Sequence, residues 1–362
     1  MDTGTISLIL LLGILGLLAI GMPLGFASAF LAVLVMVLKF GPDLLFSSFG
    51  TGPLNIIAQR VYGLLTDYVL ISIPLFIFMA NLLERSGIAH DMYTSLNAWL
   101  SRVRGGIAIV TSIMATIMAA MSGIIGGEVV LLGLIALPQM LRLGYNQNFA
   151  CGVICTSGSL GTMIPPSIVL IIYGLITETS IKALFTAAFL PGFMLSAFII
   201  AYIVIRTQMR PQDAPLQNPA AGDPVGREKS MLLFDFLMML TAGFAALLFA
   251  RALFLTLSGQ NVVREGVAPI VLGQPEVMPW LGGIAVAAAV IVVLLGAEKR
   301  AQAWAMGKGL VAPLIVIGVV LGSIYTGIAT ATEAAALGVA GSLVIAACER
   351  SLDWRVFKAG LV

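Results

Sequence analysis

One acidic residue is unusual because it lies inside an apolar segment. Glu128 follows the Ser- and Gly-rich sequence SGIIGG at 122–127 and precedes the apolar sequence VVLLGLIAL. Burying a charged carboxylate in hydrocarbon costs about 2.5–3.5 kcal/mol or more, so acidic residues in such segments commonly have a functional role. Glu128 is therefore a candidate to bind a cation or a proton. The alternative to a functional role is a glutamate with structural partners that is protonated or that snorkels to the membrane interface.

The sequence SGSLGTMIPPS at 157–167 interrupts the next apolar segment. In hydrocarbon each unpaired backbone N–H or C=O costs several kcal/mol, so a break persists only where protein or a water-lined cavity satisfies these groups. Proline suits the first turn of a helix, so Pro165 and Pro166 are predicted to begin a half-helix. The positive end of its dipole would attract a carboxylate.

The same interruption is rich in oxygen atoms that suit a sodium ion. Sodium is a hard cation and prefers oxygen ligands, which the carbonyls of an unwound backbone around 158–162 and the nearby hydroxyls would supply. The hydroxyls are those of Ser157, Ser159 and Thr162. The alternative is a proline kink with glycines for close helix packing. Two consecutive breaks that both contain Ser and Gly favour a binding site.

The composition places both breaks in a membrane. Of 362 residues, 60% are hydrophobic and 10% are charged, whereas soluble domains carry about 25% charged residues. Apolar segments close to the length of a bilayer crossing, about 17–25 residues, recur from end to end. We therefore predict an all-α integral membrane protein with a retained first helix, surrounded by membrane lipid.

Several other classes of function are disfavoured. The net charge is +2 and the basic residues are dispersed, so no nucleic acid partner is expected. Three cysteines give no disulfide framework, and with a single histidine no zinc site is expected. No catalytic pair is visible, which argues against an enzyme, and no cofactor is predicted.

Basic residues indicate the topology. Under the positive-inside rule, Arg102, Arg104 and Arg142 put both ends of 106–142 in the cytoplasm, so this segment forms a re-entrant hairpin with its tip at 122–128. The N-terminus then lies outside. The apolar segments are 6–21, 24–40, 68–84, 106–123, 127–141, 146–176, 184–205, 231–250, 279–296, 310–328 and 334–347.

Four stretches resemble the large membrane subunit of the tripartite ATP-independent periplasmic (TRAP) transporters. They are DYVLISIPLFIFMANLLERSGIA, RGGIAIVTSIMATIMAAMSGIIGG, GLIALPQMLRLGYNQNFACGVICTSGSLGTMIPPSIVLIIYGLITETSI and GIATATEAAALG. The resemblance covers nearly the whole chain except about 207–309. It implies a multi-span helical secondary transporter of the bacterial inner membrane, with a re-entrant hairpin and a discontinuous helix.

The resemblance also implies a function and partners. The chain would take up organic acid anions of the dicarboxylate or 2-keto or hydroxy acid class. A periplasmic solute-binding protein would deliver them, a small membrane subunit would be the second partner, and sodium would be the coupling ion. The hairpin tip and the broken helix would form half of the binding site. Substrate would contact Pro165, Pro166, Ser167, Ser122 and Gly123. Sodium would contact Ser157, Gly158, Ser159, Gly161, Thr162, Gly126 and Gly127, with Glu128 as a candidate coupling residue.

Three departures from the family pattern shape the expected domains. The usual TPTEA reads TATEA at 330–334, two extra spans lie at 231–296, and only 53 residues follow position 309, too few for a second hairpin and break. We therefore expect a chain truncated after the start of the second inverted repeat.

The expected division of the chain has five parts. They are N-terminal scaffold helices at 1–104, a transport-type hairpin, broken helix and return span at 105–206, a cytoplasmic linker at 207–230, an inserted helix pair at 231–296 and the start of the second repeat at 297–362.

Other interpretations stay open on sequence alone. A different sodium-coupled carboxylate carrier would fit the same breaks, and its independence from a binding protein would distinguish it. A half-site fragment without activity is the other alternative. Glu333, in the TATEA sequence, fits an interfacial residue better than a binding residue.

Overall fold

The computed structural model describes residues 3–41, 53–100, 103–123, 126–216, 227–258, 280, 283, 297–349, 351 and 354–360. Within these ranges the chain forms α-helices joined by turns and short 3-10 segments, with no strand. The predicted all-α fold is confirmed. The helices are α1 (Thr3–Ala19), α2 (Leu24–Phe40), α3 (Pro53–Thr66), α4 (Ser72–Arg85), α5 (Ile88–Leu100), α6 (Gly106–Ser122), α7 (Gly127–Arg142), α8 (Gln147–Gly158), α9 (Ile168–Thr177), α10 (Ile181–Met209), α11 (Arg227–Leu257), α12 (Ala297–Tyr325), α13 (Ala331–Cys348) and α14 (Trp354–Gly360).

Among the described residues, five helical segments are long and apolar enough to cross a membrane. They are Tyr68–Arg85, Ile181–Met209, Glu228–Phe254, Glu298–Tyr325 and Ala331–Cys348. Shorter apolar helices include α1, α2, α6 and α9. A protein with this many apolar helices is a multi-pass membrane protein, as the composition predicts.

The helix α12 begins earlier than the sequence predicts. The apolar pattern places this span at 310–328, whereas the helix starts at Ala297 and has Glu298 in its first turn. The residues from 297 to 309, before the apolar part, are mostly Ala, Glu, Lys, Arg, Gln and Met. These residues have high helix propensity, so they extend the helix beyond its apolar part. The predicted span at 279–296 lies outside the described residues, apart from 280 and 283.

The chain divides into two compact units, Met1–Leu70 and Ile71–Val362. In the first unit α1 packs against α2. The turn between them contains Gly21, which has a φ of 90°, and Pro23, which precedes α2. Glycine at a positive φ and proline just before a helix produce a tight turn here. Residues 42–52 lie outside the described residues.

In the second unit α6 is the central helix. It contacts α4, α5, α7, α8, α10 and α12, and most of its residues are buried. Its small side chains allow neighbouring helices to approach closely. Two hydroxyl pairs join it to its neighbours: Ser112 Oγ lies 2.7 Å from Ser157 Oγ of α8, and Thr116 Oγ1 lies 2.5 Å from Ser196 Oγ of α10. The first pair holds the helix before the hairpin tip against the helix before the break.

The first part of the expected linker is folded onto the helices. Arg206, near the end of α10, donates from Nη2 to Asp213 Oδ2 at 3.1 Å. The backbone carbonyl of Asp213 accepts from Asn146 N at 3.0 Å, at the start of α8. Residues 217–226 lie outside the described residues, so the linker and the predicted domain boundaries stay predictions.

Candidate functional site

The hairpin that the sequence predicts to be re-entrant consists of α6 and α7, which pack against each other. Two glycines shape its tip. Gly123, with a φ of 58°, ends α6, and Gly126, with a φ of 95°, precedes α7. Both conformations favour glycine because a Cβ would be strained there. Residues 124–125 between them are not described.

The broken helix has a short, ordered interruption. The helix α8 ends at Gly158, a 3-10 turn follows at Ser159–Thr162, and α9 begins at Ile168. Ser167 is the N-cap residue of α9, with an extended backbone, and its Oγ donates to the carbonyl of Thr162 at 2.9 Å. The prediction that Ser167 lies at the start of the half-helix is confirmed.

The prediction that Pro165 and Pro166 begin this half-helix is wrong. Both prolines lie before the N-cap, and the peptide bond between them is cis. A residue that precedes proline is disfavoured in helical conformation, and Ser167 is itself extended, with a φ of −124° and a ψ of 128°. The helix therefore cannot start until Ile168.

The region 158–162 is also more regular than predicted. Its backbone was expected to be unwound. Instead, Gly158 is helical and Leu160 O accepts from Met163 N at 2.9 Å. Ser159 Oγ donates to Thr156 O at 2.7 Å, and Thr162 Oγ1 donates to Ser159 O at 2.9 Å. The break in helical structure lies at 163–167. A hydroxyl that donates its hydrogen keeps oxygen lone pairs for a cation, so these contacts leave the sodium prediction untested.

The hairpin tip and the break contact each other. The carbonyl of Gly123 accepts a hydrogen bond of 3.3 Å from Ile168 N, the first amide of α9. The Gly123 Cα lies so close to the carbonyl of Pro166 that any Cβ would collide with it. A second close approach joins Gly158 to Val129 of α7. Two segments that are about 40 residues apart in sequence thus form one structure, which we call the tip–break contact.

Glu128 lies inside the tip–break contact. It is 3% exposed, and its Oε1 accepts a hydrogen bond from Ser122 Oγ. Its Oε2 is buried and has no hydrogen-bond partner among the described residues. The carboxylate lies against Gly161, where an added Cβ would be 2.9 Å from Oε2. The structure therefore brings together Ser122 and Glu128 of the predicted hairpin tip and Gly161 of the predicted break.

Two helices begin at the tip–break contact. The N-cap residues of α7 and α9 are Gly126 and Ser167, and neither caps its helix through a side chain. The first turn of an α-helix has amides without intrahelical partners and the positive end of the dipole, so it favours anions. The contact combines a buried carboxylate with two helix starts that favour negative charge.

Sequence reasoning missed the partners that orient these groups. The pairing of Ser122 with Glu128 spans the hairpin tip, and no local pattern predicts it. The role of Glu333, by contrast, had a local signal. Thr330 and Glu333 form a capping box at the start of α13, and the spacing T-x-x-E is its signature.

A separate cavity of about 580 Å³ lies between α8 and α10. None of the predicted site residues lines it. Its lining is mainly apolar and includes Phe149, Val153, Phe198, Tyr202 and Arg206. The cavity is therefore distinct from the tip–break contact.

A multi-pass helical protein with a re-entrant hairpin packed against a discontinuous helix has the architecture of a secondary transporter. Comparison with known families agrees with this class. The model of the family described as "Tripartite ATP-independent periplasmic transporter, DctM component" matches residues 11–362, and the chain belongs to this family. The family is made of transporter components of the inner membrane rather than enzymes, and this chain is a multi-pass inner-membrane protein.

Curated relatives include three large permease proteins of TRAP transporters. The C4-dicarboxylate protein DctM of Pseudomonas aeruginosa is 34% identical over 174 residues, which are 48% of this chain and 39% of that protein. The ectoine protein TeaC of Halomonas elongata is 32% identical over 181 residues, 50% of this chain and 40% of that protein. The sialic acid protein SiaM of Vibrio cholerae is 30% identical over 182 residues, 50% of this chain and 40% of that protein. The matched part spans about two fifths of the length of these relatives.

Proposed function

We propose that this chain acts as the large permease component of a TRAP transporter that takes up organic acid anions together with sodium. The observation that carries the proposal is the tip–break contact, where two helix starts and a buried carboxylate meet. Helix starts favour the carboxylate of a substrate, and a hard cation can neutralise a buried carboxylate. Family membership supports the same proposal.

The relatives support the class of substrate. Their names specify C4-dicarboxylates, ectoine and sialic acid, all of which carry a carboxylate group. In this chain the substrate carboxylate would lie at the start of α9, near Ser167 and the tip residue Gly123. Pro165 and Pro166 would hold the chain beside it. Ser122 would contribute through its position on the hairpin tip.

Sodium would bind on the side of the tip–break contact opposite the substrate carboxylate. The proposed ligands are oxygen atoms of the 157–162 segment and of the hairpin tip, namely those of Ser157, Gly158, Ser159, Gly161, Thr162, Gly126 and Gly127. A cation there would offset the charge of both Glu128 and the substrate, which couples the binding of the two ions. This mutual dependence is what uptake driven by a sodium gradient needs.

The proposed activity belongs to an assembled transporter. The proposed partners are a small membrane subunit and a periplasmic binding protein, in line with the tripartite family. The binding protein would present the anion at the outer face, and the permease would carry it across. A carrier that works without a binding protein is the competing arrangement.

The test compares two glycines with similar backbones. Gly123 and Gly87 both have positive φ, 58° and 85°, but only at Gly123 would a Cβ meet another segment. Uptake of a radiolabelled dicarboxylate is measured in proteoliposomes that contain the assembled transporter, with and without a sodium gradient and binding protein. Gly123→Ala should abolish sodium-driven uptake, because the tip can no longer contact the break, whereas Gly87→Ala should retain it.

The control separates the contact from backbone strain. Both substitutions put a Cβ on a left-handed residue at a cost of about 1–2 kcal/mol, and only one disturbs the tip–break contact. Equal uptake by the two variants would contradict the proposed site. Uptake by the unmodified transporter that needs neither sodium nor the binding protein would contradict the proposed function.

A further inference from the structure

We propose that Glu128 is a direct carboxylate ligand of the coupling sodium ion, and that this ion must bind before the substrate anion. The inference rests on the proposed function and adds to it a specific ligand and an order of binding. Its basis is the environment of the two carboxylate oxygens.

The two oxygens of Glu128 have different surroundings. Ser122 donates to Oε1, which fixes the orientation of the carboxylate. Oε2 is buried without a partner among the described residues. A buried polar atom normally has a hydrogen-bond partner or an ion, and each exception needs an explanation. A cation at Oε2 provides the missing interaction.

No side chain described near Glu128 supplies a positive charge. The helix α6 carries no charged residue, and neither do α8 and the 3-10 turn at Ser159–Thr162. In α7 the only basic residue is Arg142 at the opposite end, about 21 Å away at 1.5 Å per residue. A buried carboxylate is stable when it is paired or coordinates a metal ion. An ion from solution is therefore the remaining source of positive charge for an ionised Glu128.

Protonation alone does not satisfy the carboxyl group. If the proton is on Oε1 and is shared with Ser122, Oε2 still lacks a donor. If the proton is on Oε2, that O–H has no acceptor among the described residues. A cation ligated by Oε2 satisfies this oxygen, and Ser122 can keep its hydrogen bond to Oε1.

Gly161 leaves the space that this arrangement needs. An added Cβ there would lie 2.9 Å from Oε2 and 3.1 Å from Cδ of Glu128. Both distances are shorter than ordinary van der Waals contact, so a methyl group would push the carboxylate aside. The requirement for glycine at 161 thus follows from the position of the carboxylate.

The order of binding follows from the sign of the charges. Glu128 lies in the first turn of α7 and belongs to the tip–break contact, where the proposal also places the substrate carboxylate. Two carboxylates in a site of low dielectric constant repel each other. Sodium at Oε2 removes this repulsion, so the anion binds after the cation.

The test measures binding of radioactive sodium (²²Na⁺) to the purified assembled transporter by scintillation proximity. Glu128→Gln keeps the shape and the contact with Ser122 but removes the charge. It should weaken sodium binding by about 10-fold or more. Glu333→Gln is the matched control, because glutamine also forms a capping box, and its sodium affinity should equal that of the unmodified transporter.

A second pair of variants protects the test against misfolding at position 128. Gly161→Ala displaces the carboxylate, whereas Gly152→Ala places its methyl group in open space within α8. Sodium affinity should fall for the first and stay unchanged for the second. Size-exclusion profiles of all four variants verify assembly.

The outcomes separate the inference from the proposed function. Sodium affinity that is unchanged in both Glu128→Gln and Gly161→Ala would overturn the inference, even if uptake remained sodium-driven. Anion binding without sodium at full affinity would overturn the order of binding. Absence of any sodium binding or sodium-driven uptake in the unmodified transporter would instead overturn the proposed function itself.

Discussion

Two glutamates of this chain lie at the starts of helices, and their surroundings differ. Glu333, near the start of α13, is exposed and accepts from Thr330 N at 2.7 Å and from Thr330 Oγ1 at 3.0 Å. Glu128, near the start of α7, is buried, and one of its oxygens has no partner among the described residues. The first carboxylate stabilises its own helix, whereas the second accepts from Ser122 and forms no capping box with its N-cap residue, Gly126.

The difference arises from the spacing around each residue. Glu333 is three residues after a threonine N-cap, so its side chain can reach back to the backbone of Thr330. Glu128 is two residues after its N-cap, Gly126, which has no side chain to form a capping box. Its partner comes instead from Ser122, at the end of the preceding helix. A glutamate at a helix start is therefore a site candidate only when the helix does not use it as a cap.

The largest expected effect comes from truncating each glutamate. Glu128→Ala should lower the sodium-driven uptake rate of the assembled transporter by about 100-fold, because the cation loses a ligand. Glu333→Ala should leave uptake near normal and destabilise α13 by about 1 kcal/mol, because the capping box is lost. Initial uptake rates in proteoliposomes and thermal unfolding in detergent measure the two effects. A similar loss of uptake in both variants would contradict the proposed difference in role between the two glutamates.

The donors to the two glutamates should differ in their effect on stability. Ser122→Ala removes the donor to a buried carboxylate, which should cost about 1–3 kcal/mol of unfolding free energy and also weaken sodium binding. Thr330→Ala removes an exposed cap and should cost about 1 kcal/mol without any effect on sodium binding. Thermal unfolding with and without sodium tests this pair. Sodium should stabilise the Thr330→Ala protein as much as the unmodified one, and a smaller stabilisation there would count against the assignment.

The smallest effect concerns the proline that the family pattern has and this chain lacks. Ala331 is the first residue of α13, a position that suits proline. Ala331→Pro should stabilise the protein by about 0.4–1 kcal/mol by restricting the unfolded chain. The measurement is the shift in thermal unfolding midpoint, with Ala334→Pro as a destabilising control inside the helix. A lower midpoint for Ala331→Pro would show that the capping box depends on alanine at this position.

Much of the fold follows from the sequence because glycine, proline and apolar length act locally. The ends of α6 and α7 lie within about one residue of the ends of the predicted segments. The reason is local, because Gly123 ends α6 and Gly126 precedes α7. The start of α9 was predicted wrongly because proline at the first turn is only a preference, and Ser167 adopts an extended conformation. The start of α12 was predicted too late because helix propensity, rather than apolarity, sets it.

The candidate site was predictable in its segments but not in its contacts. The sequences SGIIGG and SGSLGTMIPPS identify the hairpin tip and the break. The hydrogen bond from Ile168 N to Gly123 O and the packing of Glu128 on Gly161 depend on how distant helices meet. No local pattern encodes these contacts.

The most direct test of the tip–break contact as a binding site is an electron cryo-microscopy structure of the assembled transporter with sodium and a dicarboxylate. We expect a cation at Oε2 of Glu128 and a substrate carboxylate at the start of α9. Substrate in the cavity between α8 and α10, with no ion or anion at the tip–break contact, would contradict it.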